Sequence, residues 1–294
     1  MINLKKEIEL ITENELIDFC SIFIPWSIKA FSALPAITES VFDVRESILD
    51  IYTLLPALGE PLKLYLNEIM LVLIKILAED FEANGLTAMH VFMEFHKVFR
   101  GAVEASVQPF IDLVLHLLEN FPEISIKLLK NNAPIDTRLI PANQSVKIII
   151  ESPVMVVLLF QLHRKFINEN ILKFVPYIIK ILEISIPAPE FVIEHKASDD
   201  LVLITGQIRC RRRQNYCDFI QAKVKVLSFL AYVSRSFSSA LKVYQASIPN
   251  FVIDILKNSP PESASARKVK TLISINYKPL FNVFRNYLSL LDTF

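Results

Sequence analysis

Glycine is scarce: four residues in 294, Gly59, Gly85, Gly101 and Gly206, each isolated from the others. Loops that cradle phosphate, nucleophile elbows and tight hairpins need glycine where the backbone takes positive φ or approaches a ligand, so no GxGxxG, P-loop or GxSxG arrangement can be written here. Excess charge of either sign is also missing, since 31 Lys and Arg balance 31 Asp and Glu. That balance gives no general pull toward nucleic acid, an anionic membrane or a basic partner. Cysteine is sparse and odd in number (Cys20, Cys210, Cys217). The set argues against a disulfide framework and fits a reducing, intracellular compartment. Long hydrophobic runs are lacking too, because the longest uninterrupted one, Pro153 to Phe160, falls far short of the roughly 18 residues expected of a span. Residues 1–7 mix charge and apolar character without a secretory core after them. Strand signals are thin, with Asn-Gly only at Asn84-Gly85.

What is abundant is apolar side chain, 52% of the sequence, arranged at the helical period. Leu62, Tyr65, Leu66, Ile69, Met70, Leu73, Ile76 and Leu77 make one stripe. Phe110, Leu113, Val114, Leu117, Leu118 and Phe121 make a second, and Ile248, Phe251, Val252, Ile255 and Leu256 a third. A longer stripe runs through Tyr216, Phe219, Ile220, Val224, Leu227, Leu230 and Ala231, with Lys223, Lys225, Ser228 and Arg235 assigned to the opposite, polar side. Ile111 and Leu115, and Val226 and Phe229, add apolar residues on a second face, as helices packed on both sides require. A proline precedes the stripe at Pro61, Pro109, Pro176, Pro249 and Pro279, where a first helical turn tolerates the missing N–H. Ser259-Pro260-Pro261-Glu262 has the form of a capping box opening a further helix.

This recurrence predicts an all-α fold, a HEAT-like α-solenoid of antiparallel helix pairs with two loop insertions. Residues 1–40 are expected to be a helical leader and 41–294 the solenoid. The insertions fall near 131–150 and 186–214: Asn131 to Gln144 is rich in Asn and Pro, and Pro187 to Gln214 mixes proline, paired acids and arginines. The last stripe (Leu280, Phe281, Val283, Phe284, Tyr287, Leu288, Leu291, Phe294) lacks a polar cap after it. The isolated chain is therefore expected to self-associate or precipitate unless a partner or further repeats cover that face.

Certain strings also resemble one family, the TRRAP family of transcription-associated proteins, giant HEAT-repeat members of the phosphatidylinositol-kinase-related class. The strongest is Asp218-Phe219-Ile220-Gln221-Ala222-Lys223-Val224-Lys225-Val226-Leu227-Ser228-Phe229-Leu230-Ala231-Tyr232, continuing to Asn258-Ser259-Pro260-Pro261-Glu262 and Arg267-Lys268. Glu94 to Arg100, and Pro153 to Gln161 leading into Lys173-Phe174-Val175-Pro176, are weaker matches in the same order. The resemblance implies a nuclear scaffold subunit of SAGA-like histone acetyltransferase coactivator complexes, binding other subunits and transcriptional activators. It implies an N-terminal part of the helical array, without the family's kinase-like domain, and supplies no catalytic residue. Another HEAT protein, such as a nuclear transport receptor, is the alternative, though the near-neutral balance gives no acidic cargo face in its favour.

No residue constellation calls for enzyme chemistry, a cofactor, a metal or a small-molecule substrate. His90 and His96 lie six apart, off the i, i+4 spacing of paired ligands, while His116, His163 and His195 are assigned to other elements. Cys210 and Cys217 flank Arg211-Arg212-Arg213 without a second thiol pair. Arg209 with Arg211 to Arg213 is the one basic cluster, read as solvated loop charge, with a localisation signal or an acidic contact as the alternative. Asp199-Asp200 lacks a histidine or nucleophile at a working distance in sequence.

Overall fold

The computed structural model describes residues 12–33, 39–130, 140–184, 199–244 and 246–258. Among them the only strand-like feature is a single bridge between Phe81 and Pro141, and the fold is all-α. The α-helices are α1 (Glu13–Ala33), α2 (Glu39–Tyr52), α3 (Leu66–Glu79), α4 (Glu82–Phe99), α5 (Val107–Lys130), α6 (Val146–Leu162), α7 (Ile167–Asn170), α8 (Val175–Glu183), α9 (Asp199–Ser236) and α10 (Ile248–Asn258). Short 3-10 turns join several of them.

The expected stripes are the buried faces. In α3 and the turn before it, Leu62, Leu66, Ile69, Met70, Leu73, Ile76 and Leu77 are all buried. Phe110, Val114, Leu117, Leu118 and Phe121 do the same in α5, and Ile248, Phe251, Val252 and Ile255 in α10. At roughly 1.5–3 kcal/mol for each large apolar side chain, these stripes are the main force fixing each helix. Both faces of α5 and α9 are covered, since Ile111, Val226 and Phe229 are buried as well. Proline marks helix entry as expected. Pro176 and Pro249 stand second in α8 and α10, Pro109 third in α5, and Pro61 opens the 3-10 turn Glu60–Tyr65 that leads into α3. Pro25, Pro122 and Pro153 instead lie inside α1, α5 and α6, where each removes one backbone donor from the ladder.

The described residues fall into two compact units, one within Met1–Leu113, Thr137–Ile148 and Leu158–Phe166, the other within Val114–Asp136, Ile149–Val157 and Ile167–Phe294. In the first, α3 and α4 pack along one another, and the two-residue link Asp80-Phe81 requires them to run antiparallel. Helix α1 packs against Glu60–Tyr65 and α3, and α2 against α4. In the second, α9 packs on α8 and α10.

The α3–α4 link is the most heavily bonded point of the first unit. Asp80 is buried; its Oδ2 accepts from Arg45 Nε at 2.6 Å and its Oδ1 from the Phe81 N–H at 2.7 Å and Asn84 Nδ2 at 3.2 Å. Arg45 reaches on to donate to the Phe31 carbonyl and lies over the Phe31 ring, tying α1 and α2 to the link. From the other side, Ala142 N donates to Asp80 O and Glu82 N to Ile140 O. Ser145 caps α6 by accepting from Ile148 N, and its hydroxyl donates to buried Glu82, which also takes Lys147 at 2.6 Å. Residues 140–145, expected inside an insertion, thus act as a clamp on the α3–α4 link.

Gly85 has its own role there. A Cβ at this helical position would stand 2.7 Å from Ile148 Cδ1 and 2.8 Å from Ala142 Cβ, so the Asn84-Gly85 pair marks a close approach and no hairpin.

Two sequence expectations change. Positions 199–214, read as loop, lie in α9. Asp199-Asp200 stands at its first turn, where acids complement the helix dipole, and arginine is a good helix former, so the features taken as loop signs are helix-compatible. Lys223, assigned to a polar face, is buried, because α9 is covered on both sides. Pro279, the capping box at 259–262 and the C-terminal stripe lie outside the described residues.

Replacing Gly85 by alanine is expected to cost about 1–3 kcal/mol through overpacking, read as a lower urea midpoint; an unchanged midpoint would show that Ile148 and Ala142 yield freely.

Candidate interaction surface and buried polar clusters

Each histidine and cysteine singled out in the sequence has a definite place or lies outside the described residues. His90 is exposed on α4, and His116 is exposed on α5 with its Nε2 3.0 Å from Asn120 Nδ2. His195 is not described. Cys20 is buried, and burial raises its thiol pKa. Cys217 is half-buried in α9, while Cys210 and the Arg209–Arg213 cluster lie on the same helix with undescribed side chains. Among the described residues no three His, Cys, Asp or Glu side chains come together as a metal-ligand set.

The arrangement that sequence reasoning missed is a histidine pair. His96 and His163, 67 residues apart, meet with Nδ1 and Nε2 at 2.9 Å, both rings buried. Ser106 Oγ donates to the Val103 carbonyl at 2.7 Å, which leaves it to accept from His96 Nε2–H at 3.2 Å. His96 Nδ1 is then the acceptor for His163 Nε2–H, and His163 Nδ1 faces Glu104 at 3.9 Å. Phe92 packs on His96 and Phe166 on His163. Burial, with His163 second, depresses the His96 pKa to about 3. Burial also lowers that of His163; Glu104 opposes the shift, while Lys165 and Arg100 add to it. Two neutral imidazoles between a serine and a glutamate look like a proton relay. Yet Ser106 is buried and its hydroxyl is committed to a carbonyl, so the group joins α4, the turn after it and the end of α6, and offers no nucleophile. Spacing could not reveal it. His96 does lie on the Phe92, Phe99 face of α4, which marks it as inward.

Among the described residues of the second unit, a comparable cluster forms around Lys223. Lys223 Nζ donates to Asp254 Oδ2 at 2.7 Å and to the Ile184 carbonyl at 2.7 Å, joining α9 to α10 and to the end of α8. Burial lowers its pKa and Asp254 opposes that shift. The Phe219 ring lies 5.8 Å from the ammonium.

Surface features point elsewhere than chemistry. On α1, Phe19, Ile22 and Trp26 are exposed at helical spacing, Ile22 by 73% and Trp26 by 53%, with half-buried Phe23 stacked on Phe19 at 5.1 Å and 6.0 Å from Trp26. The opposite side of the helix, Cys20, Ile24, Ser27 and Phe31, is buried, and Ser27 meets Tyr52 at 2.8 Å. By length and composition alone, Asn14–Ala33 and Glu82–Ile126 are apolar enough to cross a membrane. Run length therefore does not exclude a span as the sequence reading held. The second stretch, however, carries Glu82 and His96 bonded inside the protein and is broken by the 3-10 turn Arg100–Ser106.

These features define a helical array whose polar interior groups are joints between helices and whose exposed apolar face is suited to contact. Residues 215–294 match a family described as "Tra1 HEAT repeat central region". For those residues the description reads central, where the sequence resemblance implied an N-terminal part. The chain is 25% identical to the "SAGA complex/NuA4 acetyltransferase complex subunit TRA1" of Saccharomyces cerevisiae over 83% of its length. It is 24% identical, over 83% and 76% of its length, to "Probable transcription-associated protein 1" of Dictyostelium discoideum and "Transformation/transcription domain-associated protein" of Homo sapiens. The chain is all-α and is similar, at 24–25% identity over most of its length, to transcription-associated proteins, with a HEAT-repeat match over residues 215–294. It spans only 6–8% of the length of these three relatives.

The neutral histidine pair makes stability fall with acid. Unfolded histidine binds its proton near pH 6.5 and folded His96 only near 3, so the contribution is complete above about pH 6.5 and is lost below it, by at most about 1.4 kcal/mol per pH unit for each such group. Thermal melts at pH 7.5, 6.0 and 5.0 are expected to show that decline, and His96→Phe to flatten it; equal slopes for the two proteins would assign the decline to other groups. For the second cluster, Lys223→Met is expected to cost about 1–3 kcal/mol, and Lys223→Met with Asp254→Asn less than the two singles summed. Strict additivity in urea titrations would show the two groups to be uncoupled.

Proposed function

We propose that this chain serves as part of the scaffold subunit of a SAGA- or NuA4-type histone acetyltransferase coactivator complex, acts in the nucleus, and contacts activators or other subunits without chemistry of its own. The supporting observation is similarity over most of the chain to proteins named as transcription-associated, one of them named as a subunit of SAGA and NuA4. The match to a HEAT-repeat region accords with a scaffold role. So do the buried polar pairs Arg45–Asp80, His96–His163 and Lys223–Asp254, each of which joins segments distant in sequence. In this reading residues 41–294 form the array and 1–40 its helical leader.

Tagged full-length chain, purified from nuclear extract of its source cells, is expected to bring down an acetyltransferase catalytic subunit and its neighbours. Recovery with a GTPase and transport cargo, or exclusion from the nuclear fraction, would overturn the proposal.

A further inference from the structure

The two ring nitrogens of His163 have unlike surroundings. Its Nε2–H donates to His96 Nδ1 at 2.9 Å, which leaves Nδ1 without a proton in the neutral ring. That bare nitrogen faces a carboxylate: Glu104 Oε1 stands 3.9 Å away, while Glu104 Oε2 is held by Lys165 Nζ at 2.7 Å. Two acceptors turned toward each other do not bond, and 3.9 Å is well outside hydrogen-bond length. A proton on Nδ1 would convert them into a charge-assisted donor and acceptor. The Glu104 side chain is 33% exposed, so solvent reaches the carboxylate although the imidazole beside it is 3% accessible. His96 has no such opening. Its Nε2–H goes to Ser106 Oγ at 3.2 Å, and its Nδ1 is already filled by His163. A proton there would set two N–H donors against each other across 2.9 Å. The other charges acting on His163 are Lys165, after the end of α6, and Arg100, at the start of the 3-10 turn Arg100–Ser106; both disfavour a proton, and Glu104 favours it.

We infer that the gap between His163 and Glu104 is a one-proton latch: a proton taken up on His163 Nδ1 closes the gap and fastens the turn Arg100–Ser106 to the end of α6, with the His163–His96 bond intact. Glu104 then bridges His163 and Lys165 with its two oxygens, and no bond of the neutral joint is given up. A second proton has only His96 to go to, and there it breaks the joint. The folded protein therefore answers acid in two stages, tightening this joint at the first and parting α4 from the end of α6 at the second. Interacting imidazoles titrate as a pair, and here the geometry assigns the first step to one ring. Burial outweighs Glu104, so that step falls below the ordinary histidine midpoint. Global stability still declines with acid, because an unfolded histidine takes its proton at higher pH than either folded ring. The latch is independent of which complex the chain joins.

The chain has five histidines, few enough for each ring to be followed separately. The full chain, labelled with nitrogen-15 in its histidines, is titrated downward from pH 7.5 by NMR, the two rings being assigned by the signals lost in His96→Phe and His163→Gln. At pH 7.5 both His96 and His163 are expected as Nε2–H tautomers. On acidification His163 is expected to become imidazolium first, with a new Nδ1–H signal, while His96 keeps its neutral pattern until the chain unfolds. Glu104→Gln, at a part-exposed position, is expected to lower the His163 midpoint by roughly 0.5–1 pH unit and Lys165→Met to raise it, with the His96 tautomer unchanged in both. A His163 Nδ1–H tautomer at pH 7.5, His96 charging before or together with His163, unfolding before His163 charges, or a His163 midpoint indifferent to Glu104→Gln would each overturn the inference.

Discussion

A helix covered on two sides has no water-facing strip wide enough for all its polar residues. Any charge caught between helices must find its counterpart inside the protein, because stranding one costs several kcal/mol. That constraint accounts for the polar architecture of both units. Arg45 is held by Asp80, Glu82 by Ser145 and Lys147, and Lys223 by Asp254 and a helix-terminal carbonyl. Each pair joins elements that sequence separates by 31 to 65 residues, so each also fixes which helix lies beside which. Apolar stripes provide the attraction, and the buried pairs supply the register.

The histidine pair obeys the same rule with a different solution. Two imidazoles can pair while neutral, the Nε2–H of His163 donating to Nδ1 of His96, so no net charge is enclosed. Their geometry superficially suggests catalysis, and the distinction lies in access. Ser106 is buried and its hydroxyl proton is already given to the Val103 carbonyl. A polar chain that joins three segments is here a structural joint.

The sequence reveals what depends on local period. The α3, α5 and α10 stripes, and proline at four helix entries, are legible because helical spacing and the missing N–H act within one element. What depends on a distant partner is not legible. Nothing near Lys223 announces Asp254, so a lysine opposite an apolar stripe looks solvated although it is sealed in. His96 and His163 escape for the same reason, since ligand spacing is a property of one helix and their meeting is made by tertiary packing. At 199–214 the difficulty differs: charged residues and acids at a helix start resemble a loop by composition, although both suit the first turns of α9. The aromatic ridge on α1 was also hidden, because an apolar residue on a helix reads as core until its neighbours are known.

Lys223 illustrates what enclosure does to reactivity. A primary amine is ordinarily among the most readily modified groups on a protein surface. This one has 1% of its side chain accessible, two oxygens at 2.7 Å and a lowered pKa. Acylating reagents, and enzymes that modify lysine, can reach it only when α8, α9 and α10 come apart. The rate at which that nitrogen is labelled therefore keeps time for the breathing of the second unit, while the exposed lysines react at once.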